Sequence, residues 1–223
     1  MELNPVVTEQ TTAASDAVLA GIGLACALWL RRAGRADPWR GNVWSAAFGL
    51  ASLGALLGAV VHGLRWSPGA EALLWRPLYL ALALSIGLMV VGVVDELWGR
   101  PGGRRTLPAV LAGALGFHGL TVLVPRGFLL FAVVEALAMG FAVLACGWLT
   151  VRDRRASFAL MTAGMAVSLL AALAQTQHSL SLTVVWEFDH NGVFHLIQMP
   201  GLILLAAGLA GAFRARGCAF NGE

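Results

Sequence analysis

Seven stretches of predominantly apolar residues, near 11–30, 43–64, 73–95, 107–124, 128–150, 158–180 and 190–213, constrain this chain more than any single motif. Each approaches the roughly 20 residues that a helix needs to cross the hydrocarbon core of a bilayer. The connectors are short, and no internal repeat or low-complexity segment interrupts them. The expected fold is all-α: one polytopic seven-transmembrane-helix bundle over residues 1–223, with no soluble domain attached. Composition agrees, since 12% of the residues are charged, about half the roughly 25% of a soluble domain. Residues 100–108, "RPGGRRTLP", read as an ordinary polar loop.

The basic residues set an orientation. Arg31, Arg32, Arg35 and Arg40 follow the first stretch, and Arg100, Arg104 and Arg105 follow the third. Arg152, Arg154 and Arg155 follow the fifth, and Arg214 and Arg216 the seventh. The alternate connectors hold only Arg65, Arg76 and Arg126. Because cytoplasmic loops carry the excess of basic residues, the N-terminus is expected outside and the C-terminus in the cytoplasm. The expected location is a bacterial-type plasma (inner) membrane, crossed many times, with membrane lipids as partners.

Several classes fall away. The 15 basic residues are all arginine. A retinal protein needs a lysine amine for its Schiff base, so a rhodopsin is excluded. The net charge of +3 gives no reason to expect nucleic acid. Cys26, Cys146 and Cys218 have no spacing that signals a disulfide framework or a cysteine zinc site. Glu2 and Glu9 stand where a cleaved signal peptide would be basic.

With that orientation, all the histidines fall in the outer half of the bundle: His62, His118, His178, His190 and His195. Asp16, Glu135 and Tyr79, the sole tyrosine, join them there. An ionisable group within a membrane span is costly and marks a functional site by default. A structural explanation stands beside each. His62 and His178 suit a headgroup-level rim, His118 a helix–helix hydrogen bond, and Asp16 with Ser15 a cap on the first helix. Glu135 is hardest to explain structurally, because an unpartnered carboxylate at depth is expensive.

The stretch "FDHNGVFHLIQMPG", residues 188–201, gathers the most polar side chains. Asp189 suits the N-cap of the last helix, where its charge also favours the helix N-terminus. Asn191, His195 and Gln198 follow at i, i+4 and i+7 and share a face. His190 sits about 140° away and reaches the same point only from a distorted first turn. On the second helix, Gly54, Gly58 and His62 recur every four residues, which lets another helix approach the His62 face.

The seven helices, a histidine near the end of the second and "HNGVFH" opening the last resemble the alkaline ceramidase and adiponectin-receptor-like hydrolases, the CREST superfamily. The HNxxxH pattern is also similar to a signature of uncharacterised bacterial seven-helix proteins distantly related to them. The resemblance implies zinc held by His62, His190 and His195, with a metal-bound water attacking a lipid amide. The chain departs from that pattern at Gly58, where a serine is expected. Four residues separate His190 from His195 instead of three, and the outer half lacks a third-helix aspartate.

Two function classes follow, beside a third reading in which the protein is a scaffold and the polar layer only fixes helix packing. In one, zinc lowers the pKa of its water to about 7, and Glu135 or Asp16 orients a ligand histidine or acts as general base. Tyr79 then donates to the oxyanion in hydrolysis of a lipid amide or ester. In the other, a receptor or carrier binds a metal, haem or small ligand in the same cavity without catalysis, with His118 and His195 as axial ligands in the haem case.

Overall fold

The computed structural model describes residues 2–123 and 127–220, apart from the side chains of 122–123, 127–129 and 217–220. Residues 124–126, with Arg126 of the orientation argument, and the side chain of Cys218 lie outside what is described. Among the described residues there are six helices: α1 (Val7–Ala33), α2 (Pro38–Gly63), α3 (Pro68–Leu123), α4 (Gly127–Asp153), α5 (Ala156–Gln175) and α6 (His190–Phe220). All six are long and apolar enough to cross a membrane, the architecture of a multi-pass membrane protein. Large apolar side chains face outward along them, among them Leu137, Leu144, Trp148 and Val151 on α4, each at least 60% exposed. A surface of that kind matches lipid and not water.

The expected polar loop at 100–108 is instead helical. The third and fourth apolar stretches lie in one element, α3, broken only at Gly99, whose backbone is at φ 75° and ψ −179°. A left-handed φ of that size is open to glycine at little cost, so one residue makes the turn. Pro101 then falls in the first turn of the second arm, where its missing N–H breaks no hydrogen bond. The arms fold back on each other. A Cβ placed on Gly87 would meet Val110 Cγ1 at 2.4 Å, whereas a straight helix would separate those residues by about 34 Å.

The α1–α2 hairpin closes through a 3-10 turn, Gly34–Ala36. A Cβ on Gly34 would stand 2.5 Å from Gly41 Cα, so only glycines fit this crossing. Asp37 then caps α2, accepting from Arg40 N at 3.4 Å, with Pro38 in the first turn. On the other side of the bundle, α5 and α6 touch backbone to backbone. A Cβ on Gly164 would lie 2.5 Å from Leu205 N, and one on Gly208 would lie 2.6 Å from Ser157 O. Small residues at such crossings let dispersion contacts hold helices together where no hydrophobic gradient acts.

The tightest core gathers at one end, where α1 finishes and α2 begins. Leu30, Trp44, Leu149, Phe158, Met161 and Leu209 are fully buried there. An ion cluster closes this packed end. Arg40 pairs with Asp95 and, at 3.5 Å, with Glu96, while Arg216 reaches Glu96 from α6. Arg100 holds Asp37 at 2.5 Å, and Trp39 Nε1 donates to Asp95 at 3.2 Å. The cluster ties α2, α3 and α6 at a single level. Glu96 was not singled out from the sequence, and Arg40 and Arg216 were read there for orientation alone.

At the opposite, polar end, a two-stranded antiparallel hairpin, β1 (Leu182–Thr183) with β2 (Glu187–Phe188), links α5 to α6. Thr11 Oγ1 donates to Glu187 O at 2.8 Å and pins the hairpin to α1.

Candidate functional site

The polar end is built first from α1. Thr12, Ser15 and Asp16 are spaced i, i+3 and i+4, so they share one face, and all three are buried. Because α1 starts at Val7, Ser15 and Asp16 lie inside the helix, and neither caps it. The sequence reading of Asp16 as a cap is therefore corrected.

His195, on α6, inserts against that face. Its Nδ1 lies 2.9 Å from Ser15 Oγ, and its Nε2 lies 3.1 Å from Asp16 Oδ1. The protons can be counted. Ser15 carries a single hydroxyl proton, and Thr12 O accepts at 2.8 Å as an alternative to Nδ1. If the proton goes to Nδ1, the neutral ring donates its Nε2–H to the Asp16 carboxylate. If it goes to Thr12 O, Nδ1–H donates to Ser15 and a second proton must sit between Nε2 and Asp16. Either way one proton bridges His195 and Asp16, which makes the pair a candidate general acid and base.

The space for Asp16 comes from α2. A Cβ on Gly58 would stand 2.6 Å from Asp16 Oδ2, so the small residue at this position admits the carboxylate. One turn on, His62 Nδ1 contacts Glu9 Oε2 at 2.6 Å. Glu9 had been read only as evidence against a signal peptide; nothing in its local sequence announced a partner 53 residues away. From His62 a run of rings crosses to α4. His62 meets Trp75 edge-on at 5.5 Å, Trp75 stacks on Tyr79 at 5.7 Å, and Tyr79 lies 5.8 Å from Phe131.

The start of α6 follows its sequence closely. Asp189 Oδ1 accepts from the backbone N–H of Asn191 at 3.0 Å and of Gly192 at 2.9 Å, an N-cap. The same oxygen accepts from Thr12 Oγ1 at 3.0 Å. Asn191 Oδ1 accepts from Gln175 of α5 at 3.1 Å. His190 does not turn toward His195; its Nε2 lies 3.3 Å from His178 Nδ1.

These groups surround a cavity of about 410 Å³, within the range of small-molecule sites. Asp16, His62, Tyr79, Glu135, His195 and Gln198 all line it, and His178, His190 and Asn191 complete its rim. The deeper wall is apolar, with Leu82, Met89, Met139 and Leu205. Ser168, which the sequence reading passed over, also lines it. His118 does not, and its buried Nδ1 has no hydrogen-bond partner among the described residues. The His118–His195 haem pair is therefore not assembled around this cavity.

A zinc site can be tested against the same geometry. His62 is held by Glu9, His190 by His178, and His195 by Ser15 and Asp16. No group of three His, Cys, Asp or Glu side chains converges to hold a metal ion among the described residues. The arrangement does not fit a three-histidine zinc centre. The extra residue between His190 and His195 is a physical reason, because it turns the two positions about 140° apart around α6.

No curated protein and no solved structure matches the chain. The model of a family of unknown function, DUF6962, matches residues 11–212, nearly the whole bundle and every residue of the cavity, and the chain belongs to that family.

Proposed function

We propose that this protein is a membrane receptor or carrier that takes a small organic ligand into the cavity at its polar end. The observation that carries the reading is the cavity itself. Asp16, His62, Glu135 and His195, from four different helices, face a space whose deeper wall is apolar. Ligand sites have this composition, a hydrophobic wall with a few fixed polar groups.

The chain crosses the membrane seven times in this reading, with the polar end and N-terminus outside. The arms of α3 on either side of Gly99 measure roughly 46 and 36 Å at ~1.5 Å per residue, and about 30 Å suffices to cross. The arginines at 31–40, 100–105, 152–155 and 214–216 all lie toward the packed end, which supports a cytoplasmic placement for it. Thiol labelling from outside should modify a cysteine at Asn4 and spare one at Arg104. The reverse pattern would overturn the orientation.

Occupancy is tested on protein purified in lipid nanodiscs, by mass spectrometry of what it releases. A small molecule present with wild type and absent from Gln198→Trp, which fills the cavity, is the expected result. Equal release from both would overturn the reading. Metal analysis of the same sample covers the hydrolase: stoichiometric zinc that disappears in His195→Ala would replace ligand carriage with zinc chemistry.

A further inference from the structure

We infer that the ligand of this cavity is a lipophilic amine, held by its ammonium group against Glu135 and the rings of Tyr79 and Trp75. The inference rests on the reading of the cavity as a ligand site and adds the chemical class. Asp16 is engaged by His195, and Glu9 by His62. Glu135 has no hydrogen bond or ion pair among the described residues, yet it faces the cavity from about two turns inside an apolar helix. A carboxylate left alone at that depth is expensive, and a cation is the partner that relieves the cost.

No arginine lines the cavity among the described residues, and the chain has no lysine. The protein thus supplies no cation of its own to Glu135 beyond the cavity's histidines, and no fixed cation to receive an acid. Tyr79 and Trp75 stack beside the same space, and Phe131 extends the run onto α4, the helix that carries Glu135. Aromatic faces attract an ammonium, most strongly where water is excluded. The remaining wall, with Leu82, Met89, Met139 and Leu205, offers a hydrocarbon chain the contact it needs. A primary alkylamine carries its proton near neutral pH, as the lysine amine does at a pKa of about 10.4.

Three probes of matched length separate the possibilities: decylamine, decanol and decanoate. The readout is the protection of a cysteine at Gln198, on the cavity wall, from a small thiol reagent in nanodiscs. Decylamine should protect at concentrations roughly ten- to a hundredfold below decanol, the strength of a hydrogen bond to a charged group, and decanoate should protect least. Glu135→Gln should erase the amine preference and leave protection by decanol unchanged. Because Glu135 has no partner to lose among the described residues, that variant should unfold at or above the wild-type temperature. Equal protection by decylamine and decanol, or a preference that survives Glu135→Gln, would overturn the amine and leave the ligand site standing. Protection by none of the three would overturn both.

Discussion

The packed end and the polar end hold their acids in opposite ways. At the packed end Asp95 is 1% exposed and Glu96 7%, and each is met by arginine. At the polar end Asp16 has only a histidine, and Glu135 has no partner among the described residues. An arginine–carboxylate pair is permanent, since arginine does not deprotonate in proteins. A histidine–carboxylate pair holds a proton that can move, and a lone carboxylate calls for one or for a cation. The first region fixes the helices, while the second keeps chemistry available. The packing follows the same division, with fully buried Trp44, Phe158 and Met161 at one end and a cavity of about 410 Å³ at the other.

The largest expected effect comes from breaking the packed end. Arg40→Ala leaves Asp95 without its main partner and should cost about 3–5 kcal/mol, read as a large fall in thermal unfolding temperature with little folded protein recovered. If Arg40→Ala were as stable as wild type, the ion cluster would not be what ties α2 to α3.

Next comes the boundary between the regions. Gly58→Ala drives a methyl into Asp16 and should cost about 1–3 kcal/mol, while separating the carboxylate from His195. Gly49→Ala, also on α2, meets nothing within 4 Å and should change stability by no more than about 1 kcal/mol. Equal unfolding temperatures for the two variants would show that Gly58 makes no special room.

The smallest effects belong to the rim. His178→Ala removes an exposed ring whose hydrogen-bond partner among the described residues is His190, and should shift stability by less than about 0.5 kcal/mol. Asp16→Asn keeps the shape and can still hydrogen-bond His195, so it should fold while changing ligand protection. A severe loss of stability from His178→Ala would move the hairpin and rim into the scaffold.

The comparison also explains what the sequence could convey. Asp189 as a cap and the shared face of Asn191, His195 and Gln198 depend on local spacing, and both are legible. Glu135 stood out because an acid in an apolar run is conspicuous on its own. Pairings across the bundle were not legible. Ser15 meets His195 across 180 residues, and Arg216 meets Glu96 across 120. Such partners are chosen by helix packing, which no local pattern encodes. The segment 100–108 misled because Gly, Pro and Arg dominate it, yet Gly99 alone makes the turn and the rest continues as helix.

The division between a closed end and an open one can be measured on one molecule. Cys26 and Cys146 lie in the packed region, 7% and 0% exposed, and Gln198 lies on the cavity wall. With a cysteine placed at Gln198 and Cys218 removed, a small uncharged thiol reagent should modify the Gln198 site and leave Cys26 and Cys146 unreacted in the folded protein. Modification of Cys26 or Cys146 at the same rate, or none at Gln198, would contradict an open polar end above a closed packed one.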